Sequence, residues 1–259
     1  MLPRTVRRLI AVLALVVTAA GCSSMVPDPT IDVSDWQILD GNKDWRYILA
    51  VPDNEKKARG LILLLHGYSG DALAIAREWE SMPGMDEFYL LAPQAPRKII
   101  SEPVSTWRAG TDDEFLLKLL DKVVQEKSIR SIRVGVAGYS SGASMALYMG
   151  LTFPDRISAT VAVGAGRNQV GEIENASGRY FLLAGGLDRG FNEDKAKRLA
   201  EHITGAGAFA EYHVLPGVDH AGLYNQMQPA TDWFLEMMPK LDKTERELRE
   251  RMLAPPASE

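Results

Sequence analysis

The chain has 259 residues, 46% of them apolar and 24% charged, an ordinary globular composition with enough length to bury one substantial core. Its net charge of −5 argues against nucleic acid or another polyanion as a partner. Its single cysteine excludes an intramolecular disulfide.

The first eight residues hold Arg4, Arg7 and Arg8 and no acid, and Leu9 to Ala20 is apolar apart from Thr18. A basic start followed by an apolar run is the layout of an export signal, and this run falls well short of the roughly 20 residues a spanning helix needs. The segment Ala19-Ala20-Gly21-Cys22 resembles the lipobox of bacterial lipoproteins, with Ala19 where that family usually has Leu. The resemblance implies that residues 1–21 are removed as a signal peptide and that the Cys22 thiol is acylated. It also implies an exported protein held at a membrane by its N-terminal lipid anchor, with Ser23 implying sorting to an outer membrane. Cleavage would remove three Arg and leave a net charge of about −8, so acyl chains rather than charge would hold the protein on anionic lipid. Residues 22–34 then serve as anchor and tether, with Pro27 and Pro29 in a short polar stretch.

Two short strands are expected at Trp36 to Leu39 and Trp45 to Val51, joined through the turn-type cluster Asp40-Gly41-Asn42. Leu61 to Leu65 is an unbroken apolar run, the mark of a strand covered on both faces. Phe88 to Leu91, Ile132 to Ala137, Ala159 to Val163, Tyr180 to Leu183 and Tyr212 to Leu215 repeat the theme. Helical patterns fall between them at Asp71 to Glu80, Asp112 to Glu126, Ser141 to Leu151, Glu193 to Thr204 and Gln228 to Met238. Strand then helix, repeated, predicts an α/β domain at residues 35–240, built on a mostly parallel sheet of about eight strands with helices on both faces and no large lid. Residues 241–259 are expected to form a charged helix and tail.

The chemistry centres on Gly138-Tyr139-Ser140-Ser141-Gly142, placed directly after one apolar strand and before a helical pattern. A tight strand-to-helix turn exposes its central serine but crowds the residues two before and two after, which must be small. A serine hydroxyl is a poor nucleophile near neutral pH unless a base takes its proton and an acid orients the base. With this kind of elbow the partners follow in the order Ser, acid, His. His202 falls in a helical pattern and His213 in a strand, whereas His220 sits in a loop after the last strand, which makes it the expected base. Asp188, just beyond the preceding strand, is the expected acid; Asp219 competes but adjoins the histidine it would have to grip. The oxyanion of a tetrahedral intermediate needs two donors, for which the backbone N–H groups of Ser141 and of Tyr68 in the His66-Gly67-Tyr68 loop are the candidates. His66 itself is expected to brace that loop. Trp107 and Tyr139 are candidate substrate-pocket residues, with a buried structural ring the alternative for Trp107 and packing or surface the alternative for Tyr139.

Together Leu63-Leu64-Leu65-His66-Gly67, Leu91-Ala92-Pro93-Gln94-Ala95-Pro96, the Ser140 pentapeptide and Pro216-Gly217-Val218-Asp219-His220 resemble the phospholipase/carboxylesterase and dienelactone hydrolase branch of the α/β-hydrolase superfamily. The resemblance covers about residues 45 to 238. It implies a small, lidless serine esterase acting on acyl esters with no metal or organic cofactor. A serine peptidase or lactone hydrolase on the same triad is an alternative, as is a non-catalytic surface lipoprotein on a hydrolase scaffold.

Overall fold

A computed structural model describes residues 35–96, 105–165 and 173–253; the expected signal, the expected lipidation site at Cys22 and the expected tether lie outside the described residues. The strands are β1 (Gln37–Ile38), β2 (Arg46–Ala50), β3 (Gly60–Leu65), β4 (Phe88–Pro93), β5 (Val134–Tyr139), β6 (Ala159–Val163), β7 (Arg179–Gly185) and β8 (Phe209–Leu215). They form one sheet in the order β1-β2-β4-β3-β5-β6-β7-β8, antiparallel where β2 meets β1 and β4 and parallel elsewhere. The helices are α1 (Ala72–Glu80), α2 (Asp113–Glu126), α3 (Ser141–Thr152), α4 (Glu193–Gly205), α5 (His220–Tyr224) and α6 (Gln228–Leu253). This is the α/β-hydrolase fold.

The unbroken apolar run of β3 has a direct cause. Leu61, Leu63 and Leu65 point to the face where Phe115 and Leu119 of α2 and Met145 and Met149 of α3 pack, while Ile62 and Leu64 point to the face covered by Ile75 and Trp79 of α1 and Phe234 and Met238 of α6. All six residues of β3 are buried, and each large side chain so covered stabilises the fold by roughly 1.5–3 kcal/mol. Farther along the sheet, Ala143 and Leu147 of α3 and Ala196 and Ile203 of α4 close over Leu182 of β7. Strand β5, which carries Ser140 at its end, therefore lies in the middle of a covered sheet between β3 and β6.

Several boundaries differ from the sequence reading, β8 starting three residues early at Phe209 among them. Residues Ser131–Arg133 form a 3-10 turn, so β5 starts two residues later than expected and runs through Tyr139, paired with Val163 of β6. His220 is not in a loop but opens α5, a helix of five residues that is too short to leave a periodic signal. Finally, α6 continues through Pro239 to Leu253, so the charged segment is continuous with it instead of forming a separate element.

The continuation of α6 past its proline has a physical explanation. Proline has no N–H, so Pro239 leaves the carbonyl four residues earlier, that of Leu235, without its helical donor. The guanidinium of Arg59 donates to that carbonyl at 3.2 Å while also pairing with Glu87. Meanwhile Ala230, Phe234, Met237, Met238 and Leu241 bury one face of the helix against the sheet. Arg59→Ala is expected to lower stability to urea by about 1–3 kcal/mol, because a charged donor is lost from a helix carbonyl. Pro239→Ala restores an N–H at that place, so the same Arg59 substitution should cost much less in the double variant.

Candidate active site

Ser140 stands between β5 and α3 with φ 56° and ψ −114°, a conformation that L residues rarely adopt. Its N–H donates to the carbonyl of Val163 at 2.9 Å, which ties the turn to the end of β6. The two flanking glycines are sterically required: a Cβ on Gly138 would overlap the carbonyl of Gly142, and one on Gly142 the carbonyl of Leu65. Backbone strain at such a residue costs on the order of 1–3 kcal/mol, and here the buried elements on either side impose it. The outcome is a hydroxyl projecting from the sheet edge.

That hydroxyl is 2.9 Å from Nε2 of His220, and Nδ1 of His220 is 2.7 Å from Oδ2 of Asp188. The two loops that carry these partners are joined by backbone hydrogen bonds, from Gly186 N–H to Leu215 O and from Leu187 N–H to Val218 O, both 2.9 Å. Asp188 is buried, and its Oδ1 accepts from the Gly190 N–H at 2.7 Å. Burial alone would raise the Asp188 carboxyl. Hydrogen bonds from His220, Phe191 and Gly190 outweigh it and hold the group below its ordinary value, so it is ionised at neutral pH. An ionised acceptor at Nδ1 places the imidazole proton there and leaves Nε2 free to accept from the serine. Asp219, the adjacent alternative, faces elsewhere: it caps α5 by accepting from the Gly222 N–H at 2.8 Å.

Ser141 is the first residue of α3, where a backbone N–H has no intrahelical acceptor. Its side-chain hydroxyl is buried without a hydrogen-bond partner. Tyr68 lies on the facing loop, with its side chain exposed. The N–H groups just after it are occupied, Ser69 donating to Ser105 O at 2.8 Å and Gly70 to Gly67 O at 2.9 Å. Ser69 is itself left-handed at φ 54°.

The loop rests on a buried polar network. His66 Nδ1 donates to Gly67 O at 2.8 Å, and its Nε2 accepts from the Ala95 N–H at 3.0 Å and from the Gln94 amide at 3.1 Å. Gln94 also donates to Gly70 O and accepts from the Ala72 N–H. Sequence reasoning did not single out Gln94, although its place in Pro93-Gln94-Ala95-Pro96, directly beyond a strand end, was the available signal. Trp107 belongs to this network and not to a substrate pocket. It is only 1% exposed and donates its indole N–H to His66 O at 2.9 Å, so of the two readings, pocket wall and buried structural ring, its burial supports the second. Tyr139 is half-buried, with its hydroxyl donating to the His220 carbonyl at 2.8 Å, so the proton of that hydroxyl is committed within the protein. A cleft of about 740 Å³ opens beside the loop, lined by Ser69, Gly70, Gln94 and Ser105 on one side and by Ile38 and Arg46 on the other.

Comparisons with known proteins agree with the architecture. Residues 92–240 match the dienelactone hydrolase family. Poly(3-hydroxyalkanoate) depolymerase C of Paucimonas lemoignei is 27% identical over 124 residues, which make up 45% of this chain and 30% of the depolymerase. This chain thus spans under a third of that relative's length. Among solved structures, esterase PE8 is similar at 21% identity and a TM-score of 0.59, over 71% of this chain and 96% of its own. The Bacillus cereus carboxylesterase is similar at 17% identity and a TM-score of 0.61, over 74% of this chain and 94% of its own. At these identities the structures share the fold.

Burial pushes the His66 imidazole below its ordinary value of 6.5, against smaller raising effects from Gly67 and Asp71. As pH falls through 6.5 the unfolded chain takes up a proton at His66 that the folded protein resists, so stability drops over that range. His66→Gln, which cannot titrate, is expected to be less stable near pH 8 yet to lose less of its stability between pH 7 and pH 5 than the wild type, as measured by urea melts at each pH.

Proposed function

The chain belongs to the dienelactone hydrolase family, and on that premise we propose that it is a serine hydrolase of carboxylic esters in which Ser140 is the nucleophile, His220 the general base and Asp188 the acid that orients the base. The observation that carries this reading is the continuous line Ser140 Oγ, His220 Nε2, His220 Nδ1, Asp188 Oδ2, with both hydrogen bonds under 3 Å.

The chemistry follows from those atoms. As Ser140 Oγ attacks the acyl carbon, its proton passes to His220 Nε2, and the imidazolium that forms is stabilised by the Asp188 carboxylate. The carbonyl oxygen becomes an oxyanion, to which the Ser141 and Tyr68 N–H groups donate; one such donor is worth about 3–4 kcal/mol to the transition state. His220 returns the proton to the leaving alcohol, and an acyl-serine remains. Water, deprotonated by His220, then releases the acid and regenerates the serine. The family's name and the depolymerase relative both support an ester bond as the target, a lactone being the cyclic case.

The second part of the proposal concerns where this happens. The lipobox-like Ala19-Ala20-Gly21-Cys22 supports a lipid-anchored, exported enzyme facing esters at a membrane surface. Expression with an alkyne-bearing palmitate should label the wild type and leave Cys22→Ser unlabelled; equal labelling of both would contradict the anchor.

The mechanism is tested by kinetics on a chain-length series of activated acyl esters. Ser140→Ala and His220→Gln are each expected to lower kcat by about 10⁶-fold, and Asp188→Asn by about 10⁴-fold through loss of the required tautomer. A Ser140→Ala protein with undiminished kcat would contradict the assignment.

A further inference from the structure

Tyr139 is the last residue of β5, directly before Ser140, and its side chain reaches three separate parts of the site. Its hydroxyl donates to the backbone carbonyl of His220 at 2.8 Å. Its ring stacks on the His220 imidazole with centroids 5.3 Å apart and 28° between the planes. The same ring lies against the loop that bears Tyr68: a Cβ on Gly67 would stand 3.0 Å from Tyr139 Cδ1. Tyr224, at the far end of α5 from His220, meets the ring edge-on at 5.2 Å.

These contacts matter because α5 is five residues long, and a helix of that length has little stability of its own. His220 is its first residue, so the direction of the imidazole depends on what holds that turn in place. Asp219 caps the turn and Leu223 is buried beneath it, while the Tyr139 hydroxyl holds the His220 carbonyl from another element of the fold. Burial raises the Tyr139 phenol above its ordinary value, with the Asp188 and Asp219 charges adding to the effect, so the group stays a donor throughout the neutral range.

We propose that Tyr139 is a positioning residue for the base, its hydroxyl and ring together fixing the His220 imidazole in line between Asp188 Oδ2 and Ser140 Oγ. The proposal rests on the reading of Ser140 as nucleophile and His220 as base. Two hydrogen bonds to opposite nitrogens of one ring tolerate little rotation, and a misplacement of about 1 Å can cost on the order of 10²-fold in rate. Tyr139 touches no reacting atom in this role; it acts through His220.

The test compares the wild type, Tyr139→Phe and Tyr139→Leu by rate of fluorophosphonate labelling at Ser140, by kcat and KM on p-nitrophenyl butyrate, and by thermal melting. Tyr139→Phe keeps the ring and removes only the hydroxyl. It should melt within about 3 °C of the wild type, be labelled about tenfold more slowly, and show a matching fall in kcat with KM changed by less than about twofold. Tyr139→Leu should fall further on both rates. Labelling of Tyr139→Phe at the wild-type rate would overturn the proposal. So would a rise in KM with kcat unchanged, which is the behaviour of a pocket wall, or a loss of labelling that only tracks a loss of folded protein. A wild type that is not labelled at Ser140 at all would instead remove the nucleophile reading itself, and the positioning role with it.

Discussion

Ser140 is held at φ 56° and ψ −114° between a central strand and the most buried helix of the domain, and nearly every other feature of the site follows from that backbone constraint. A residue in this conformation must be closely surrounded, so Gly138 and Gly142 have no room for side chains. It must be tied down, which the hydrogen bond to Val163 does. It must also be backed by elements that outweigh a cost on the order of 1–3 kcal/mol. Strand β5 lies between β3 and β6, and eight of the twelve residues of α3 are buried, so the surrounding packing holds the turn in its strained form.

Around this fixed point the fold supplies partners from loops at the ends of β3, β7 and β8, all on the same sheet edge. Each loop is braced by backbone or buried side-chain hydrogen bonds. The β7 and β8 loops are joined to each other through Gly186 and Leu187, and the β3 loop is supported from beneath by His66, Gln94 and Trp107. The division of labour is chemically consistent. One histidine, His66, is buried, neutral and fully hydrogen-bonded, and so holds a loop; the other, His220, is part-exposed with one nitrogen on a carboxylate and the other on a hydroxyl.

Much of this arrangement was legible in the sequence, for identifiable reasons. Buried parallel strands have to be apolar on both faces, so Leu61 to Leu65 and its counterparts announced the sheet. The crowding around an elbow serine left its glycines at the required offsets. The chain order Ser140, Asp188, His220, each beyond a strand, selected three residues that the structure does bring into contact. What was not legible depends on side-chain direction and on contacts distant in sequence. Trp107 follows a loop and so read equally as a pocket wall or as core, and only its contact with His66 decides for core. Tyr139 read as a neighbour of the site, in packing or against substrate, and nothing local announced that its hydroxyl crosses to a residue 81 positions away. The helix expected at Gln228 to Met238 stops before Pro239, and only the 176-residue span from Arg59 to the Leu235 carbonyl explains why it goes on. Single-turn α5 has no period to detect, though Asp219 before His220 was a capping signal.

The central claim is that acyl groups pass through Ser140, and the most direct test is to trap one there. The protein is mixed with an activated acyl ester, quenched in acid within a single turnover and digested for peptide mass spectrometry. The account predicts one acyl group per chain, carried on Ser140 and absent from Ser140→Ala. An acyl group on a different residue, or turnover that proceeds with no acylated serine in both proteins, would contradict it.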